Sequence, residues 1–297
     1  MALFIRCVSW LVGCLPASLQ IGLGCLLGWG LRRVVRFRRN VVRQQMQTAL
    51  GPETAAAIEP AVYRHIGLTA IELLRQPALA DEKLEELIKF DGLEHLEKAL
   101  EQGRGVLALS GHMGNWELPL PMVNRHGPEM YVVYKELKHA AGETFRRMIR
   151  DDRGVHGISR HGAARGVLKA LKKNAMVGFV LDQNMTADEG VFVDFFGMPA
   201  CTMPGLAVLA ERSGAVVLPV CCHRAANDWH HHMRFGAPIE LESGGEDSNA
   251  NAHANTARFT LELERMIQER PAQWIWMHKR WKTRPPDEAK TPINFST

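Results

Sequence analysis

Through the second half of the chain, short apolar runs alternate with amphipathic stretches. Residues 106–109, 130–134, 155–158, 176–181 and 215–222 are apolar runs of strand length, bounded by Gly, Asn, Asp or Ser. Residues 140–153, 161–173 and 204–213 carry apolar positions at helical spacing. Strands separated by helices of crossover length predict an α/β fold, with a mixed, mostly parallel sheet flanked by helices. Residues 192–196 alternate as a further strand, and 229–235 with 238–241 form an expected antiparallel pair. Residues 243–255 are polar and Gly/Asn-rich, the composition of a loop; 256–269 follow as a helix and 274–277 as a strand-like run. Upstream, 41–50, 54–77 and 81–102 read as helices separated by Gly51-Pro52 and Pro77. The expected organisation is an anchor with a basic juxtamembrane helix (1–45), a helical cover (46–103), an α/β core (104–285) and a tail (286–297).

The anchor rests on residues 7–31, where Ser9, Ser18 and Gln20 are the only clearly polar side chains. A bilayer crossing takes roughly 20 apolar residues, although Pro16 and several glycines leave a kinked span and a helical pair in one leaflet both open. Six arginines at 32, 33, 36, 38, 39 and 43 face the single Arg6 on the other flank, which puts the bulk of the chain on the cytoplasmic side. Gly22, Gly24 and Gly28 have the wrong spacing for a nucleotide loop, and Gly24 with Gly28 suits close helix packing. Composition adds little: 46% hydrophobic residues supply a core, and the net charge is +4. The six cysteines form no C-x2-C pair, so neither a zinc site nor a disulfide framework is expected.

The chemistry concentrates at 104–118. The apolar run 106–109 ends in Ser110-Gly111, and His112 follows in a loop just past the strand's carboxyl end. Open sheets bind ligands at that edge. Asn115 is a good N-cap for a helix over 116–123, which places Glu117 in the first turn. Continuous helix would set His112 and Glu117 about 140° apart. A loop-to-helix transition instead lets Glu117 turn back and hold one imidazole nitrogen, leaving the other as general base on a hydroxyl. A capped helix beside a surface histidine is the structural alternative.

Gly111-His112-Met113-Gly114-Asn115-Trp116-Glu117 resembles the H-x4-E block of the bacterial lipid A biosynthesis acyltransferases. Further segments match in order: Val180 to Asn184 resembles that family's Asp-Gln turn, 193–202 its FFG-x-P-A-x-T segment, and 273–285 its C-terminal Trp- and Arg-rich block. The resemblance implies transfer of a fatty acyl chain from an acyl carrier protein or coenzyme A thioester to a hydroxyl of an acylated lipid A precursor. It implies no metal or redox cofactor, a place on the cytoplasmic face of a bacterial inner membrane, and contact with its lipids. His112 would be the base and Glu117 its orienting carboxylate. Arg150, Asn115, Asp182 and Gln183 are the candidate substrate contacts, and Arg150 or amides around 113–115 the candidate oxyanion donors. The same transfer to an ornithine lipid or glycolipid, a thioesterase and a non-catalytic partner protein remain alternatives.

Three other patterns have two readings each. Arg146, Arg150 and Arg153 share a helical face that is either solvated or a dock for phosphate or acyl carrier protein. His230, His231 and His232 resemble a metal tract, but a strand splits them between faces. Trp274, Trp276 and Trp281 amid basic residues suit a lipid interface or a core; no recognition motif for nucleic acid accompanies them.

Overall fold

The computed structural model describes residues 1–137, 139–226, 229–242 and 248–288. Helices α1 (Ala2–Gly13) and α2 (Ala17–Arg33) meet at 112° across the Pro16 break. Among the described residues no single helix is long and apolar enough to cross a membrane, although this bent pair together reaches that length. Leu3, Phe4, Trp10, Leu26 and Trp29 on the pair, with Val34 and Val35 beyond it, project outward. The inner face of α2 lies on α4 (Pro52–Arg75), reached through α3 (Arg39–Leu50). Small residues make that approach close: a Cβ on Gly28 would collide with the Tyr63 carbonyl, and one on Gly67 with the Gly24 carbonyl. Three of the arginines between positions 32 and 43 turn inward. Arg32, Arg39 and Arg43 converge on the buried Glu59 carboxylate at 3.2, 2.7 and 2.7 Å, while Arg33, Arg36 and Arg38 stay exposed.

The segment 81–102, expected as one helix, is α5 (Asp81–Glu86), strand β1 (Ile88–Asp91) and α6 (Leu93–Glu101). Gly92 forces the break: its φ is +76°, and a Cβ there would strike the Phe235 carbonyl. The remaining elements are β2 (Val106–Ser110), α7 (Leu120–His126), β3 (Met130–Tyr134), α8 (Ala140–Ile149), β4 (His156–Ser159), α9 (Ala163–Leu171) and β5 (Met176–Val180). They continue with β6 (Val191–Phe195), β7 (Met198–Thr202), α10 (Gly205–Ser213), β8 (Val216–Arg224), β9 (His231–Phe235) and α11 (Ser248–Glu269). Seven strands form one sheet in the order β1-β9-β8-β2-β5-β3-β4, parallel except where β9 runs antiparallel to β8. The segment expected as helical cover therefore also contributes an edge strand. Alternation along β2 divides the core: Leu107 and Leu109 join the cluster under α9, α10 and α11, whereas Val106 and Ala108 join the one under α5, α6 and α7.

Other expectations are corrected locally. Residues 238–241 form no strand, because β9 pairs with β8 and β1 instead. Helix α11 starts at Ser248, inside the expected loop, with Asn255 buried and bonded to both backbone groups of Glu242; residues 243–247 lie outside the described residues. The run 274–277 contributes one bridge, Met113 to Trp274, and Trp274, Trp276 and Trp281 are core residues. Of the expected tail, 286–288 form a single 3₁₀ turn and 289–297 lie outside the described residues.

The α2–α4 contact gives a stability prediction. Gly67→Ala should lower stability by about 1–3 kcal/mol in thermal unfolding, because backbone must move to admit the methyl. Gly22→Ala, with nothing within 4 Å of its Cβ, should be neutral or gain up to ~1 kcal/mol. Equal effects at the two positions would contradict the close approach.

Candidate active site

Strands β2 and β5 are parallel neighbours in a register that pairs Ser110 with Val180, so the residues after each strand leave the sheet side by side. His112 comes from the first and Asp182 from the second. The His112 backbone N–H donates to Asp182 Oδ2 at 2.6 Å, and His112 Nδ1 lies 2.8 Å from Asp182 Oδ1. Trp274 Nε1 donates to Oδ2 at 2.9 Å. Gly111 is required for this approach, since a Cβ there would sit 2.8 Å from Leu263 Cδ1 and 3.2 Å from Asp182 Oδ2.

Asp182 is 1% exposed. Burial works to raise its carboxyl pKa, but the His112 charge and hydrogen bonds, with Trp274, outweigh that and hold it far below the usual range. Burial likewise works to lower the His112 pKa; the Asp182 carboxylate overcomes it, Glu117 adds to the rise and Arg150 opposes it, leaving the imidazole above 6.5. Because an ionised carboxylate only accepts, Nδ1 carries the hydrogen and Nε2 is left as the basic nitrogen. Trp116 packs its edge against the ring at 4.8 Å between centroids.

The expected pairing of Glu117 with His112 is therefore corrected: Asp182, from a different strand end, holds the ring. Glu117 is engaged by Arg150, whose Nε donates to Oε2 at 2.7 Å and whose NH2 donates to Oε1. The helix expected over 116–123 begins only at Leu120, with Pro119 as its cap residue, so Glu117 stands in a turn. Asn115 still caps locally: its Oδ1 accepts the N–H groups of Glu117 and Leu118, both at 3.3 Å. Its side chain is fully buried and its amide donates to Glu72 Oε2 at 3.0 Å, so it shapes the loop and does not face a ligand. Gln183 is exposed on the site's wall, and its carbonyl accepts from Arg280 NH1 at 3.2 Å.

His112, Trp116, Glu117, Arg150 and Gln183 line a cavity of about 1050 Å³. Its walls are mostly apolar, among them Leu120, Met130, Val132, Met176, Phe179 and Met203. The basic helix face contributes less than expected. Arg146 is clamped by Glu143 and Asp151, Arg150 by Glu117, and Arg153 by Asp81 with the carbonyls of Gln76 and Leu79. The exposed cations of this region are Arg147, Arg160, Arg165, Lys169, Lys172 and Lys173. His231 and His232 part as strand geometry requires, the first to buried Glu72 and the second to Asp91 at 2.7 Å.

The geometry fixes a direction for titration. Replacing Asp182 by Asn removes the main group that raises the His112 pKa. NMR titration should find the parent imidazole midpoint above 6.5 and a lower one in Asp182→Asn; an unmoved midpoint would place the controlling charge elsewhere.

Residues 2–283 match the family model described as bacterial lipid A biosynthesis acyltransferase. The chain is 28% identical over 292 residues to the lipid A biosynthesis palmitoleoyltransferase of Escherichia coli (strain K12), covering 96% of this chain and 92% of that protein. It is 26% identical over 282 residues to the lipid A biosynthesis lauroyltransferase of the same organism, covering 94% and 90%. The phosphatidylinositol mannoside acyltransferase of Mycobacterium tuberculosis (strain CDC 1551 / Oshkosh) is 29% identical over 252 residues, covering 81% and 76%. With the match running through both the strand-end site and the C-terminal block, this chain belongs to the bacterial lipid A biosynthesis acyltransferase family and is an acyltransferase.

Proposed function

We propose that the protein moves a fatty acyl chain from an acyl carrier protein or coenzyme A thioester to a hydroxyl of an acylated lipid A precursor. The observation that carries this reading is His112 on the wall of a large apolar cavity, its ring held from behind by the buried Asp182. A buried carboxylate that fixes Nδ1–H leaves Nε2 to take the proton of the acceptor hydroxyl as its oxygen attacks the thioester carbonyl. The imidazolium formed is stabilised by Asp182. Collapse of the tetrahedral intermediate breaks the carbon–sulfur bond, and His112 returns the proton to the departing thiolate. No nucleophile of the protein is consumed, since the substrate supplies the attacking oxygen. Arg150, held beside His112 by Glu117, is the candidate positive charge for the developing oxyanion. Glu117 thus acts on the site through Arg150.

The apolar walls suit the acyl chain. The outward side chains of α1 and α2, next to exposed Arg33, Arg36 and Arg38, suit insertion into the lipid surface that presents the acceptor. The excess of arginines at 32–43 over the single Arg6 favours the cytoplasmic side of an inner membrane for this surface. The similarity to a phosphatidylinositol mannoside acyltransferase supports a second acceptor class, a glycolipid.

Detergent-solubilised protein incubated with acyl carrier protein thioesters and an under-acylated lipid A precursor, followed by mass spectrometry, tests the reading. The lipid should gain one acyl mass, and His112→Ala should lose about 10²–10⁴-fold in turnover, the usual range for a general base. A gain on phosphatidylinositol mannoside alone would reassign the acceptor. Free fatty acid without lipid gain would indicate a thioesterase and overturn the transfer.

A further inference from the structure

Next to the loop that carries His112 lies a buried polar cluster that the chemistry above does not use. Glu72 of α4 is fully buried and both its oxygens are occupied. Arg224, at the end of β8, donates NH1 to Oε1 and NH2 to Oε2, the latter at 2.7 Å. His231 Nε2 lies 2.7 Å from Oε1, and the fourth partner is the Asn115 amide at 3.0 Å. Arg224 NH2 also donates to Thr69 Oγ1 at 3.1 Å. One turn earlier on α4, His65 Nε2 lies 3.2 Å from the Gly114 carbonyl. Burial and the Arg224 charge hold His65 down at about 3, so it is neutral and donates this bond. Burial would raise the Glu72 carboxyl, but His231 and Arg224 outweigh it and hold it at about 2.

Two of these bonds end on the loop that carries His112 and Glu117. Gly114 is pinned further: its N–H donates to the Gln273 carbonyl at 2.9 Å, its φ is +58°, and a Cβ would collide with the Cys222 carbonyl. Gln273 in turn grips both backbone groups of Arg224, at 2.8 and 3.0 Å. A continuous path therefore runs from the Glu72 carboxylate to Asn115 Nδ2, through Asn115 Oδ1 to the Glu117 and Leu118 amides, and from the Glu117 carboxylate to Arg150. A purely structural ion pair needs only Arg224 and His231. Here the carboxylate also sets the position of Asn115, whose Oδ1 accepts the Glu117 and Leu118 amides, while Gln76 Nε2 donates to the Glu117 carbonyl at 3.5 Å.

We infer that Glu72 is a positioning residue for acyl transfer, which through Asn115 holds Glu117 and Arg150 in register with His112. The inference rests on the acyl-transfer reading, since it concerns where that reaction's groups stand. Rate is sensitive to this, because displacements near 1 Å at a reacting centre can cost on the order of 10²-fold.

A polarity swap tests it. Asn115→Asp keeps an oxygen for the Glu117 and Leu118 amides but sets a carboxylate against Glu72. Adding Glu72→Gln faces the new carboxylate with an amide donor and leaves the net charge unchanged; Arg224 NH2 then gives up its bond to Oε2 and keeps the one to Thr69 Oγ1. Asn115→Asp should lower kcat about tenfold or more with KM for the thioester within ~2-fold, and the double variant should recover most of that loss. Amide hydrogen exchange across 113–118, which needs no substrate, should rise in the single variant and fall back in the double. Unfolding midpoints establish that each protein is folded. If Asn115→Asp does not fold, Asn115→Ser, which keeps a capping oxygen without the amide, replaces it: exchange across 113–118 and kcat must then change in the same directions.

Parent-like kcat and exchange in the single variant overturn the inference, as does a folded double variant that recovers neither. A parent protein that forms no product would instead refute the acyl-transfer reading, and the exchange measurement would still decide whether Glu72 braces the loop.

Discussion

The site depends on a carboxylate placed where it costs most to be placed, buried at the end of a central strand. An isolated charge in that position would be expelled or neutralised. Asp182 stays ionised because three N–H groups converge on it: the His112 backbone, the His112 ring and the Trp274 indole. Each comes from a different constraint. The register of β2 against β5 brings the backbone donor, the absence of a side chain at Gly111 lets the loop close over the carboxylate, and the C-terminal segment inserts the indole through its bridge to Met113. Removing any of them leaves a buried charge short of partners, so the geometry is held by the cost of its own disruption.

That arrangement divides the labour within the H-x4-E block. His112 is governed by a residue seventy positions downstream in the chain, and Glu117 by an arginine thirty-three positions downstream. His112, Glu117 and Arg150 share the cavity wall, and the second pair acts on the first by charge: Glu117 raises the His112 pKa and Arg150 lowers it. Behind them α4 presents the same helix to two neighbours. Gly67 receives α2, whose outer face is apolar, while Glu72 and His65 reach the loop that carries His112 and Glu117. One helix thus joins the apolar surface to the site.

Much of this was legible in the sequence because buried parallel strands leave a simple record. β2, β5 and β8 are covered on both faces, and each appears as an uninterrupted apolar run. β1 escaped because, at the sheet edge, Ile88-Lys89-Phe90-Asp91 alternates and merges with helical sequence on both sides; the Asp91-Gly92 turn was its only local sign. His112 was identifiable from its place after a strand. Its partner was misassigned, since Glu117 is five residues away and Asp182 becomes a neighbour only once β2 and β5 are known to be adjacent. From sequence Asp182 stands out at a strand end only as a candidate substrate contact. The Glu72 cluster carried no signal, because a glutamate inside an amphipathic helix looks the same whether it meets water or Arg224.

The central claim is that Asp182 sets the base strength of His112. The pH dependence of kcat/KM for acyl transfer tests it most directly. In the proposed transfer His112 accepts the hydroxyl proton in its neutral form, and Asp182 favours the protonated form, so activity should fall as pH drops through a midpoint raised above the ordinary histidine value. In Asp182→Asn the acid limb should move to lower pH along with a lower maximum, while Glu117→Gln should move it less. An acid limb at or below 6.5 in the parent, or one that shifts with Glu117→Gln and not with Asp182→Asn, would contradict the account.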